Sequence, residues 1–251
     1  MALAVAFAFL WGLAAGSFVT VVAHRVPRGE SIVAPRSRCA TCGAQIAAYD
    51  NVPVISWVAL GGRSRCCEES IAATYPLTEL ALAAVYAATV AVLWGQPTEI
   101  ALGLVLATTL AAVTLTDLEQ RIIPNRILIV AAALGLAITA VGDPASLPER
   151  AIAAVAAGGL FFAAALLYPR GMGLGDVKLA ALMGLFLGRQ VAPAILVALL
   201  AGSAVGLVMI ARHGAEARKR AIPFGPFLAL GGVAGILAGG PLVDWYLGTF
   251  S

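Results

Sequence analysis

Charge is what this chain has least of. Only 12% of its 251 residues are Asp, Glu, Lys or Arg, while 61% are hydrophobic and the mean hydropathy is +0.95. A soluble domain is about one quarter charged. An ordinary water-soluble fold is therefore excluded, and lipid is the expected solvent. The N-terminus lacks a basic stretch ahead of its apolar run, and no small-residue cleavage site follows. That run is expected to stay as a first span rather than leave as a signal peptide. No glycine-rich loop follows a strand-like run, so the usual nucleotide-binding signature is missing too. A net charge of +3 gives no reason to expect nucleic acid as a partner. In a membrane protein the basic residues report topology first. Cysteine is absent from every apolar run; all four residues fall within 24–74.

What is present is a series of apolar stretches long enough, or nearly so, to cross a hydrocarbon core of roughly 30 Å. They cover 2–23, 76–95, 99–116, 126–142, 151–168, 176–188, 191–211 and 223–247. The expected fold is all-α: a polytopic integral membrane helix bundle of about eight spans, with 176–188 the shortest. The polar stretch 24–74 holds charges, prolines and turn signals such as Tyr49-Asp50-Asn51-Val52-Pro53, and is expected to form a small loop domain. The division expected is a first span over 1–23, a cysteine-containing loop domain over 24–74 and a second membrane domain over 75–251. If the loop faces the cytoplasm, alternation places all but Arg150 and Arg189 of the 16 basic residues on that side. That asymmetry satisfies the positive-inside rule and predicts a multi-pass inner-membrane protein.

Two acids stand at the ends of apolar runs on the same side in this topology. Asp117 closes the third span, in Thr114-Leu115-Thr116-Asp117-Leu118-Glu119. Asp176 opens the sixth, in Gly171-Met172-Gly173-Leu174-Gly175-Asp176-Val177-Lys178. Ionisable groups at a membrane edge are expensive and by default functional. Two carboxyl groups sharing one proton can hydrolyse a peptide bond without a metal or a nucleophilic side chain. The ionised one takes a proton from water, and the protonated one polarises the carbonyl and later protonates the amine. Gly173 and Gly175 permit positive φ and close approach of a substrate backbone. Lys178 is placed to hold a negative charge or a lipid headgroup. The plainer readings are that Asp176 caps its helix and that Asp117 pairs with Arg121 at i,i+4.

Several stretches together resemble the bacterial type IV prepilin peptidases, intramembrane aspartyl proteases with a Gly-Xaa-Gly-Asp motif. They are Gly16-Ser17-Phe18, His24-Arg25-Val26-Pro27-Arg28-Gly29-Glu30-Ser31-Ile32, Cys39-Xaa-Xaa-Cys42-Gly43, Tyr49-Asp50-Asn51-Val52-Pro53, Tyr75-Pro76-Leu77-Thr78-Glu79, Asp117 with Ile123-Pro124-Asn125, and Gly173-Leu174-Gly175-Asp176-Val177-Lys178-Leu179. The resemblance implies that Asp117 and Asp176 are catalytic. It implies a substrate too: the leader of pilin-like precursors, cut after a glycine on the cytoplasmic side. Many such enzymes also methylate the new N-terminus with S-adenosylmethionine, and in this chain that activity is implied by the resemblance alone.

Cys39-Xaa-Xaa-Cys42 is half of a four-thiolate zinc site, and Cys66-Cys67 supplies a second pair. A cytosolic loop keeps thiols reduced, which favours Zn²⁺ over a disulfide. The family pattern has a second Cys-Xaa-Xaa-Cys before Tyr75, and its first cysteine falls here on Ser64. Cys39, Cys42, Cys67 and Cys66 are the candidate ligands. Cys66 is the poorer fit, because adjacent cysteines seldom both reach one tetrahedral ion. Glu79 is expected to be buried and hydrogen-bonded, with a cofactor or substrate contact as the alternative. His24, His213 and Arg218-Lys219-Arg220 are expected at solvated or lipid-headgroup surfaces. Two rival functions remain: a transporter using the two aspartates as a proton or cation site, and a peptidase without methylation.

Overall fold

The computed structural model describes residues 1–39, 41–168, 172–214 and 223–249. Their secondary structure is helical, with two isolated β-bridges and no strand. Gly171, the Arg218–Arg220 link and the side chain of His213 lie outside the described residues.

The chain divides into two compact units, 1–91 and 92–251. In the first, α1 (Ala2–Arg25) lies against α3 (Thr74–Val92). Between them in sequence come short helical turns and α2 (Ile55–Ala59). Side chains do the work of a core in this loop. The Ser56 hydroxyl donates to the Tyr49 carbonyl at 2.9 Å and accepts from the Val52 N–H at 3.0 Å, and the Trp57 indole N–H reaches the Ile71 carbonyl at 3.0 Å.

The second unit is built from α4 (Pro97–Gln120), α5 (Asn125–Gly142), α6 (Leu147–Leu167), α7 (Leu174–Leu187), α8 (Val191–His213) and α9 (Gly225–Gly248). Proline sets several starts, with Pro97, Pro148 and Pro226 in first turns, where the missing N–H costs nothing. Arg121, in the left-handed region at φ 54°, ends α4, and Pro124 precedes α5. In lipid, helix association rests on close packing rather than on the hydrophobic effect. Gly184 shows this: a Cβ there would stand 2.6 Å from the Ala154 Cα on α6.

Among the described residues seven stretches are long and apolar enough to cross a membrane, and one of them runs continuously from 174 to 212. Its two helices run in opposite directions. Met183, Leu187 and Gln190 approach Gly232, Gly235 and Gly239 of α9 in ascending order. Ala194, Ala198 and Gly202 then lead back along the same helix, to Gly235 and Gly231 and finally Phe224. The turn falls at Gly188, φ 55°. The eight expected apolar segments are therefore all helices, and α7, about 21 Å long at 1.5 Å per residue, is too short to count as a span alone.

The two basic residues set apart by the sequence both lie at the end of this unit remote from Asp117. Arg150, buried, donates to the Phe186 carbonyl and pairs with Glu99. The Arg189 N–H reaches the Glu149 carboxylate at 3.1 Å. Removing one partner of a fully buried pair costs about 3–5 kcal/mol. Glu99 is partly exposed, so Arg150→Met is expected to cost less, on the order of 2 kcal/mol. Thermal unfolding in detergent would register this as a lowered midpoint; an unchanged midpoint would mean the pair is inert.

Candidate active site and metal centre

Asp117 continues the packed stripe of α4. Leu102, Leu106, Leu110 and Val113 are buried at helical spacing, and Asp117, one turn further, is buried with them. Its Oδ2 accepts a hydrogen bond of 2.8 Å from the Gly225 N–H, at the first residue of α9. No ion pair joins it to Arg121 among the described residues, so the i,i+4 pairing is not what holds it.

Gly225 was not singled out by sequence reasoning. A Cβ on it would stand 2.7 Å from Asp117 Oδ2, so only glycine lets the α9 backbone come this close. Phe224 beside it packs on Phe161 and Phe227, with ring centroids 6.1 and 6.0 Å away, which fixes the entry of α9. The usable signal was Pro223-Phe224-Gly225-Pro226, a turn at the start of the last apolar run on the aspartates' side. Gly225→Ala is expected to push the Asp117 carboxyl aside, and for a catalytic carboxyl roughly 1 Å of misplacement slows turnover about a hundredfold. Steady-state kinetics with a precursor substrate checks this; a wild-type rate would show that the contact is incidental.

Asp176 is half-buried in the first turn of α7. Its Oδ2 accepts from the Gly173 N–H at 3.2 Å, and its own N–H donates to the Gly173 carbonyl at 3.1 Å. The capping reading is thus correct as geometry, and it occupies one carboxylate oxygen. The glycines serve close approach rather than positive φ. Gly173 is extended at φ −81°, and a Cβ on Gly175 would meet the Ile123 Cβ at 3.0 Å. That contact seats the start of α7 on the link that follows α4. Lys178 Nζ donates to Asn125 Oδ1 at 3.0 Å and ties α7 to the start of α5, and no ion pair joins it to an acid among the described residues. Gln120, one turn beyond Asp117, has a buried Nε2 with no partner among the described residues.

In the first unit the four cysteine sulfurs all lie within 4.8 Å of one another. The pairs Cys42–Cys66, Cys39–Cys67 and Cys66–Cys67 stand at 3.2, 3.6 and 3.9 Å. Sulfurs about 2.3 Å from a tetrahedral zinc would be roughly 3.8 Å apart, so the set fits such an ion. Cys66, the poorest fit by spacing alone, lies in the cluster with the other three. Two turns with one hydrogen-bond pattern explain it. In the first, Arg38 bridges Gln45, the Cys39 N–H bonds the Ala44 carbonyl at 2.8 Å and the Gly43 N–H bonds the Cys39 carbonyl at 3.0 Å. In the second, Arg63 bridges Ser70, the Ser64 N–H bonds the Glu69 carbonyl at 2.8 Å and the Glu68 N–H bonds the Ser64 carbonyl at 2.9 Å. Ser64 thus occupies the place of Cys39, and Cys66 that of Thr41. The second turn brings Cys66 into the cluster two residues after the serine.

These thiols are electrostatically unequal. Hydrogen bonds from the backbone of Cys42 and then Thr41 pull Cys39 down to about 6. The hydrogen bond with Cys42, followed by burial, pushes Cys66 up to about 12. Without a cation, one thiolate holds back the next. Beside the cluster, Arg65 holds Asp50 below the usual carboxylate range through hydrogen bonds to both its oxygens.

Comparisons with known proteins agree with this organisation. Residues 10–93 match the family model described as the bacterial peptidase A24 N-terminal domain, and residues 104–211 match that of the type IV leader peptidase family. A protein of Burkholderia pseudomallei (strain K96243) named prepilin leader peptidase/N-methyltransferase is 35% identical over 269 residues, 94% of this chain and 86% of its own length. Proteins of the same name from Aeromonas hydrophila and Pseudomonas aeruginosa are 34% and 33% identical, over 96% and 95% of this chain and 93% and 91% of their own lengths. No solved structure matches the chain.

Proposed function

The chain belongs to the type IV leader peptidase family and is a membrane protease that processes prepilins, and from that premise we propose that Asp117 and Asp176 are its catalytic pair. The observation that carries the assignment is the seating of both acids at one end of the second unit, each held through one oxygen by a glycine N–H. One oxygen of each carboxyl is thereby fixed, and the other is left for water and substrate. The ionised member removes a proton from water, the water oxygen attacks the scissile carbonyl, and the protonated member stabilises the oxyanion and then gives its proton to the departing amine.

The cut falls after a glycine of the leader, in an amphiphilic precursor whose apolar helix stays in the bilayer. The active end faces the cytoplasm in the inner membrane; the positive-inside asymmetry supports this, with Arg150 and Arg189 at the opposite end of the unit. A transporter would more often place its acids near mid-span, and the curated relatives bear a peptidase's name. Cleavage of a pilin-type precursor by wild type and by the two Asp→Asn variants tests the pair.

The first unit carries the second half of that name. Cys39, Cys42, Cys66 and Cys67 are suited to hold Zn²⁺, which would tie together a loop too small for a core of its own. S-adenosylmethionine is the methyl donor implied, and the cavity that α1, the loop and α3 enclose is large enough to take it. N-methylation by this chain is checked by mass spectrometry of the processed product.

A further inference from the structure

The first unit contains a cavity of about 830 Å³, within the usual range for small-molecule sites. Its lining is mixed: Trp57, Tyr75 and Ile71 beside Ser17, Asp50 and Glu79. Most charges on this wall are satisfied or exposed. The Arg25 guanidinium donates to the carbonyls of Ser31 and Pro35, at 3.0 and 2.8 Å, and Asp50 is paired with Arg65 at 2.8 Å.

Glu79 differs. It is a buried carboxylate, 6% exposed, with no ion pair among the described residues. It has one hydrogen bond, from the Val54 N–H to Oε2 at 2.7 Å. To give that bond Val54 stands at φ 60°, a conformation costly for a β-branched residue. A buried carboxylate asks for a cation, and strain of this kind is characteristic of functional positions.

We propose that Glu79 is the acceptor-amine site of methyl transfer, receiving the α-ammonium of the processed substrate inside this cavity. The proposal rests on the methyltransferase reading above. The bound donor supplies an electrophilic methyl group on a positively charged sulfur. In the transfer a C–N bond forms as the C–S bond breaks, the electron pair of that bond returns to sulfur, and the positive charge moves from sulfur to nitrogen. A carboxylate beside the sulfur would stabilise the reactant and slow the step. Beside the nitrogen it stabilises the charge that develops there. Glu79 therefore helps only from the amine side. There it orients the ammonium, accepts one of its protons to free the lone pair, and passes that proton to cavity water.

The test uses the full chain in lipid nanodiscs and two synthetic amphiphilic peptides, one with a free N-terminal amine and its N-acetylated twin. Wild type is expected to bind the free amine about tenfold or more tightly than the acetylated peptide. Glu79→Gln, which keeps the Val54 acceptor, is expected to erase that difference while holding the acetylated peptide as before. Glu79→Asp is expected to restore part of it. If wild type does not discriminate, or if Glu79→Gln discriminates equally well, the amine site is not at Glu79. Methyl transfer to the free-amine peptide is measured alongside. Amine discrimination through Glu79 without any methyl transfer would leave this site standing and remove the methyltransferase reading instead.

Discussion

Asp117→Asn and Asp176→Asn are each expected to lower leader cleavage by at least ~10⁴-fold, and the double variant is expected to be no worse than either single one. Residues that act as one catalytic unit behave this way, because losing one member already disables the other. Asparagine keeps the size and shape of the carboxylate, and its amide oxygen can still accept from the Gly225 or Gly173 N–H. The local fold is therefore retained while the shared proton is lost. Cleavage of a pilin-type precursor in membranes, normalised to protein level, reads the effect. Two independent structural roles would give losses that multiply, and that result would remove the dyad. A wild-type rate in either single variant would do so outright. If wild type itself never cut any pilin-type precursor, the assignment of function would fail along with the mechanism.

How much of this could be read in the sequence depends on the range of each interaction. The helices were legible because lipid demands long apolar runs, and the apolar runs from 2 to 247 each correspond to a helix, α7 being the short one. Asp117 and Asp176 were legible because a charge at the end of such a run has few cheap explanations. Gly225 was not, since its use depends on α9 meeting α4 across 108 positions. No local pattern announces that a Cβ there would strike a carboxylate. The reversal at Gly188 was legible too, because 176–188 and 191–211 read as successive spans with Arg189 between them; its local cause is the positive φ at that glycine. Glu79 was expected to be buried, and is. The strained Val54 that pins it comes from the loop, whose path is set by side-chain hydrogen bonds rather than by any periodicity. The place of Cys66 was less legible for a similar reason. Spacing alone argues against adjacent ligands, and only the turn from Arg63 to Ser70 shows how both sulfurs reach one point.

That turn makes the second large prediction. The purified protein is expected to hold one zinc ion per chain, and Cys66→Ser is expected to lose it. Zinc bound by four thiolates contributes apparent binding free energies of about 10–16 kcal/mol in small domains. A loop whose core is a few hydrogen bonds around Trp57 and Ser56 has little else to hold it. Chelation is therefore expected to expose residues 26–73 to protease while the helices of the second unit stay folded. The two equivalent turns supply the control. Moving the ligand back, in Ser64→Cys combined with Cys66→Thr, gives the second turn the same Cys-Xaa-Thr-Cys order as Cys39 to Cys42. This double variant is expected to bind the metal about as well as wild type, whereas Cys66→Ser alone is not. Elemental analysis gives the stoichiometry, and the sulfur-to-metal absorption of the cobalt-substituted protein counts the thiolates. Four thiolates in wild type and in the double variant would establish that the ligand has moved by two residues within a conserved hydrogen-bond frame. Three thiolates in wild type, or full occupancy in Cys66→Ser, would return the fourth position to the Ser64 hydroxyl, which already lies 3.1 Å from the Cys67 sulfur.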